Sequence, residues 1–284
     1  MRDWSLAAIA YLKELWHKCN VDRVPLAAAA VAFFMLLSLV PLLLLIAGML
    51  SYVIKPEQLE NWFTYVTSIF GPGLAQGLRN EVLDLVRSRS ILTSVSSLVL
   101  LWAGSQIFVT IESALNQIWG VQERRPFWKT RGLALMMMIV AGAMSGVTLM
   151  LVYLLQWLGR AEIAGHHAPH LPLVGTLIIS YLVPILLVSS MFMLIYWVLP
   201  NSRVNWQATM PGAIVAGVIW VIGLHLFSWY TVTIANLSIY GSLASIIVLM
   251  LWFNYGAQIM LLGAEITSVN QRQRETAAHD VSAI

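Results

Sequence analysis

Long apolar runs separated by short polar connections set the pattern of this chain. The runs cover residues 26–54, 91–119, 133–158, 172–199, 206–236 and 239–269. A helix needs about 20 apolar residues to cross a hydrocarbon core of about 30 Å. Each run reaches that length and holds at most one formally charged residue. At that depth there is no water to satisfy the backbone, so each segment must pair its own N–H and C=O groups, as a helix does. Strands of a membrane barrel would be about 10 residues long and strictly alternating, and these runs are neither. The pattern predicts an all-α membrane protein with six transmembrane helices, in a single integral domain over residues 1–284.

The polar intervals predict further elements. Residues 1–25 read as an amphipathic arm, with Trp4, Ala8, Tyr11, Leu15 and Cys19 along one face, resting on the membrane surface. Residues 55–90 read as an external helical hairpin. Leu59, Trp62, Phe63, Val66 and Phe70 recur at helical spacing, Gly71-Pro72-Gly73 breaks the pattern, and Leu74, Leu78, Val82, Leu85 and Val86 form a second stripe. Such a hairpin lies on headgroups or lids an opening. Residues 270–284 form a polar tail.

Charge orients these elements. Of 284 residues only 10% are charged and 59% are hydrophobic, against about 25% charged in a soluble domain. Arg2, Lys13, Lys18, Arg23, Arg124, Arg125, Lys129, Arg131, Arg203, Arg272 and Arg274 fall in the arm, the even-numbered connections and the tail. Only Lys55, Arg79, Arg87, Arg89 and Arg160 fall on the other side. The positive-inside rule then places both termini in the cytoplasm, which agrees with an even number of spans.

Two prolines and a short similarity suggest internal symmetry. Leu39-Val40-Pro41-Leu42-Leu43-Leu44 in the first run resembles Leu182-Val183-Pro184-Ile185-Leu186-Leu187 in the fourth. These runs point in opposite directions, as in a 3+3 inverted repeat, and paired proline-broken helices mark binding sites in such transporters. Chance similarity in apolar sequence and ordinary membrane-helix proline kinks explain the same residues.

Polar groups at bilayer depth are costly, so they face the bundle interior or a watery cavity. Ser105, Glu112 and Asn116 share one helix face, as do Asn254, Gln258 and Glu265, and as do His225, Trp229 and Asn236. The candidate ligand-binding set is therefore Glu112, Asn116, His225, Asn254, Gln258 and Glu265, with Pro41 and Pro184. Helix-to-helix glue is the plainer reading of Asn254 and Gln258. Glu265 lies close enough to the end of its run to meet Arg272 or water.

No catalytic, metal or cofactor constellation is expected. There is no metal-spaced pair on a helix, no phosphate loop and no nucleophile elbow. His166, His167 and His170 sit in a Gly/Pro-punctuated loop without evident supporting partners and receive no assignment. Cys19, the only cysteine, excludes an internal disulfide. Residues 123–131, ERRPFWKTR, carry enough charge to grip phosphates, but juxtamembrane basic clusters ordinarily set topology and meet headgroups. Nucleic acid is not an expected partner, because no soluble domain shapes a groove.

Four blocks resemble the YihY/virulence factor BrkB family of bacterial inner-membrane proteins, once mislabelled ribonuclease BN. They are AAAAVAFFMLLSLVPLLLL at 27–45, SALNQIWGVQERR at 113–125, LPNSRVNW at 199–206 followed by Pro211-Gly212-Ala213, and YGSLASIIVLMLWFNYGAQIMLLGAEIT at 240–267. The resemblance implies a six-helix inner-membrane protein with cytoplasmic termini. It associates some members with serum resistance, and suggests transport of lipids or small solutes. It carries over no catalytic residue. The leading expectation is a transporter or flippase-like permease working by alternating access. A non-transporting membrane scaffold for envelope integrity or serum resistance is the rival, and a ribonuclease ranks last. Membrane lipids and an unidentified lipid or solute are the expected partners. A homo-oligomer is left open.

Overall fold

The computed structural model describes residues 2–53, 91–123, 125–160, 181–233 and 243–282. Among them lie seven α-helices and no strand: α1 (Arg2–Val21), α2 (Val24–Val53), α3 (Ile91–Ile118), α4 (Phe127–Arg160), α5 (Val183–Val198), α6 (Trp206–Thr233) and α7 (Leu243–Ser282). The expected hairpin at 55–90 and the histidines His166, His167 and His170 lie outside the described residues.

Four of these helices hold a stretch long and apolar enough to cross a bilayer: Leu98–Ile118, Phe127–Val147, Trp206–Phe227 and Ile246–Glu275. A fifth span results if the broken pair Ala10–Val21 and Val24–Leu39 counts as one. The fourth apolar run is described only from residue 181, and its helix, α5, has 16 residues. The described residues thus hold four candidate spans, or five with that pair. Large apolar side chains cover the outside, as a lipid-facing surface requires. On α4 only 11% of the spanning stretch is buried, and Ile139 is 73% exposed.

Two polar intervals are helical. α7 runs unbroken for 40 residues and carries the polar tail as helix to Ser282. The arm is helical, and the expected apolar face is turned inward: Leu15 is buried, and Tyr11 and Cys19 are half-buried. That face packs on protein, while Leu12 and Trp16 are exposed. The chain breaks between α1 and α2 at Asp22-Arg23, where Arg23 takes a left-handed conformation with φ of 53°. This is an uncommon backbone for a side chain of its size.

The chain groups into two compact units, each drawn from separate stretches. Unit 1 comprises Met1–Pro25, Ile111–His225 and Gln258–Ile284, and unit 2 comprises Leu26–Thr110 and Leu226–Ala257. In unit 2, Phe34 meets Trp102 edge-on at 6.5 Å, and Phe227 stacks on Trp252 at 4.6 Å. Ser38 and Ser105 are buried and turn their hydroxyls onto carbonyls of their own helices. Pro41 is buried inside α2.

In unit 1 the helices approach through small residues, the usual means of close packing between membrane helices. A Cβ added to Gly212 of α6 would strike the Thr267 hydroxyl and the Gly263 carbonyl of α7. One added to Gly263 would strike the Tyr196 hydroxyl and stand 2.7 Å from the Ala216 side chain. Tyr196 is fully buried and donates to the Met260 carbonyl at 2.6 Å, tying α5 to α7. Overpacking a tight contact costs about 1–3 kcal/mol. Gly263→Leu is therefore expected to lower the thermal midpoint in detergent, followed by tryptophan fluorescence. Gly142→Leu is the control and is expected to be silent, since a Cβ there meets nothing within 4 Å.

Candidate functional site: a buried layer of ion pairs

The end of α3 builds the first half of the site. Gly120 sits at φ 66°, just past the helix. The Val121 N–H bonds the Asn116 carbonyl at 2.9 Å, and the Gly120 N–H bonds the Gln117 carbonyl at 3.0 Å. This pair of bonds is a Schellman cap, which favours glycine because a Cβ is strained in that conformation. The turn brings the following connection back toward the helix face that carries Glu112 and Asn116.

Glu112 is 4% exposed. Its Oε1 accepts from Arg125 Nη1 at 3.0 Å and from the Thr130 hydroxyl at 3.5 Å. The same guanidinium donates to the Leu199 carbonyl at 2.7 Å and the Pro200 carbonyl at 3.1 Å. Those carbonyls end α5, where no helical N–H follows to satisfy them and the helix dipole favours a cation. Arg125 thus joins three helix termini: the end of α3, the start of α4 and the end of α5. Asn116 works beside it, accepting from the Asn201 N–H at 2.7 Å, while the Asn201 side chain donates to the Glu123 carbonyl at 2.9 Å.

Glu265 on α7 anchors the second half, and nothing of it is exposed. Lys18 of α1 places Nζ 3.3 Å from its Oε2 and donates to the Ser268 hydroxyl at 3.1 Å. Ser268 in turn donates to the Ile118 carbonyl at 3.2 Å, the last residue of α3. Neither carboxylate oxygen of Glu265 has a hydrogen bond of good geometry, so Lys18 supplies its compensation through charge. Trp119 Nε1 donates to Gln271 at 3.3 Å, and Gln271 donates to the Arg203 carbonyl at 3.1 Å. These links knit both ion pairs into one layer at one end of unit 1.

Beside the first pair an open cavity of about 420 Å³ is lined by Glu123, Arg125, Pro126, Lys129, Leu133 and Asn201. It lies at the start of α4, next to the exposed rings of Phe127 and Trp128, with the Arg131 guanidinium 5.6 Å from the centre of the Phe127 ring.

Of the sequence-predicted set, Glu112, Asn116 and Glu265 come together in this layer. Gln258 is half-buried on α7, two turns before Glu265, and Asn254 belongs to unit 2. His225 is not brought to the layer. It stands about 28 Å along α6 from the start of that helix, is exposed, stacks on Tyr181 at 5.0 Å and has Nδ1 2.8 Å from the carbonyl of Val221. Pro41 is inside α2, and Pro184 is the second residue of α5, following helical backbone at Leu182. Glu265, read from sequence as near enough to the end of its run to meet Arg272 or water, is buried against Lys18. Lys18, Asn201 and Ser268 were not singled out from sequence as members of a site, and Arg125 and Thr130 were read only within the basic stretch 123–131.

The helices and the buried charges define a multi-span α-helical membrane protein whose ionisable groups are held inside as pairs. The virulence factor BrkB family model matches residues 15–283, and the chain belongs to that family. It is 29% identical to a UPF0761 membrane protein of Tolumonas auensis over 262 residues, which is 91% of this chain and 83% of the relative. It is 26% identical to a UPF0761 membrane protein of Actinobacillus pleuropneumoniae, covering 93% of this chain and 94% of the relative. A Bacillus subtilis protein named ribonuclease-like, YfkH, is 28% identical over 94% of this chain and 97% of its own length. No solved structure matches.

Proposed function

We propose that this chain is a transporter or flippase-like permease for a lipid or small solute. In this reading it sits in the bacterial inner membrane with six spans, in two inverted halves, and with both termini cytoplasmic. The observation that supports it is the layer of two ion pairs buried at the ends of long apolar helices. Ionisable groups at such depth are functional by default, because their desolvation must be offset. Alternating access needs contacts that exist as a set and part as a set. Glu112–Arg125 clasps helix ends and Lys18–Glu265 clasps α1 to α7, so each pair separates without breaking a helix. The layer then acts as the inner gate. No catalytic step, cofactor or nucleic acid enters this reading, and a homo-oligomer is compatible with it.

The test is translocation of a fluorescent phospholipid in proteoliposomes, followed by quenching from outside. The wild type is expected to speed translocation over empty liposomes, and Glu112→Gln and Glu265→Gln to cut the rate by about tenfold or more, the scale of one lost ionic contact. A wild type no faster than empty liposomes would favour the scaffold reading. One observation favours that rival: the Arg125 guanidinium is spent on protein acceptors, as a purely structural tie would be.

A further inference from the structure

The cavity at the start of α4 is not absorbed by either ion pair, and its charges are unusual. Arg125 forms one wall, but its charge is met by Glu112 and its N–H groups by two carbonyls. Among the described lining residues that leaves Lys129 and Glu123, both exposed, as one cation and one anion facing the same space. A cavity with no net charge and one group of each sign suits neither a simple anion nor a simple cation. It suits a ligand carrying both charges a few bonds apart. Its location narrows the choice. The spanning stretch of α4 begins at Phe127, and its outer face is almost wholly unburied. Phe127 is 63% and Trp128 is 81% exposed, the arrangement of aromatic anchors at a membrane–water boundary. Leu133 lines the cavity on its apolar side, and the exposed Met136 and Ile139 continue up α4 toward the hydrocarbon. The volume of about 420 Å³ falls in the ordinary range for small-ligand pockets, roughly 300–1,000 Å³.

We propose that this cavity binds a phosphoethanolamine-type zwitterion, with Lys129 on the phosphate, Glu123 on the ammonium, and Asn201 as a neutral hydrogen-bonding partner. At a membrane boundary the zwitterion is carried by an aminophospholipid, whose acyl chains lie along the outer face of α4; the free headgroup shares the same chemistry. This deepens the permease reading by naming a substrate class. Its test measures binding alone, so failed transport leaves the site standing and failed binding leaves the permease standing.

The experiment is native mass spectrometry of the full chain in detergent, titrated with phosphatidylethanolamine, phosphatidylglycerol or free phosphoethanolamine. The wild type is expected to bind phosphatidylethanolamine about fivefold more tightly than phosphatidylglycerol. Glu123→Gln removes the partner of the ammonium and is expected to erase that preference, while Lys129→Gln is expected to weaken both lipids. Both side chains are exposed, so these variants keep the fold, checked by an unchanged elution volume. Competition by free phosphoethanolamine would assign the recognition to the headgroup alone; no competition, with lipid binding intact, would assign it to the lipid. Equal binding of both lipids that Glu123→Gln leaves unchanged would overturn the proposal.

Discussion

Arg125→Leu is expected to be among the most damaging single substitutions in unit 1. The guanidinium is 21% exposed and the Glu112 side chain only 5%, so the pair is largely out of water. Removing the cation leaves a carboxylate in an apolar layer with, among the described residues, the Thr130 hydroxyl at 3.5 Å as its remaining donor. It also leaves the Leu199 and Pro200 carbonyls without their donor. Breaking a buried pair by deleting one partner costs about 3–5 kcal/mol, and each stranded buried acceptor adds about 1–3 kcal/mol. Arg125→Lys is expected to recover only part of this loss. An ammonium keeps the charge, but it lacks the planar fork that serves a carboxylate and two carbonyls together. Thermal unfolding in detergent should rank wild type above Arg125→Lys above Arg125→Leu. If Leu and Lys behave alike, the charge contributes nothing and the carbonyl bonds carry the site.

The fold class was legible because apolar run length is a local property, and the long described helices fall on the apolar runs, though α4 starts earlier and α7 continues into the polar tail to Ser282. The fourth run is described only from residue 181, where α5 has 16 residues, so the described helices hold four or five candidate spans. Glu112, Asn116 and Glu265 were legible because polar groups among apolar residues stand out. Their partners were not. Lys18 and Arg125 lie at the ends of apolar runs, where basic residues are expected for topology alone, so neither carries a surplus signal. Choosing Arg125 out of the cations in residues 123–131 requires knowing that α5 ends beside it. The Schellman turn at Gly120 makes that approach, and the glycine was visible, but its direction was not. His225 shows the converse. It shares a helix face with Trp229, yet that face is exposed, so helix periodicity alone does not say whether the face looks into the bundle or toward lipid.

Lys18→Met is expected to destabilise the chain strongly, while Lys18→Met combined with Glu265→Leu is expected to restore most of the loss. Glu265 is sealed from solvent with the Asp22 carboxylate also acting on it, so its ionised form depends on the Lys18 charge 3.3 Å away. Deleting Lys18 alone strands that carboxylate, again at about 3–5 kcal/mol, whereas replacing both partners by apolar groups of similar size is often neutral or stabilising. The pair joins α1 to α7, so the single variant should also free α1, which trypsin would report by faster cleavage at Lys13 or Arg23. Function separates the two roles. A pair kept only for stability predicts that the double variant, refolded and stable, retains the translocation rate. A pair that must part and reform during transport predicts a stable double variant without translocation, because an apolar contact offers no charge to separate or to protonate. The combination of recovered stability with lost translocation is the outcome that a structural tie does not produce, and it is the outcome expected for a gate.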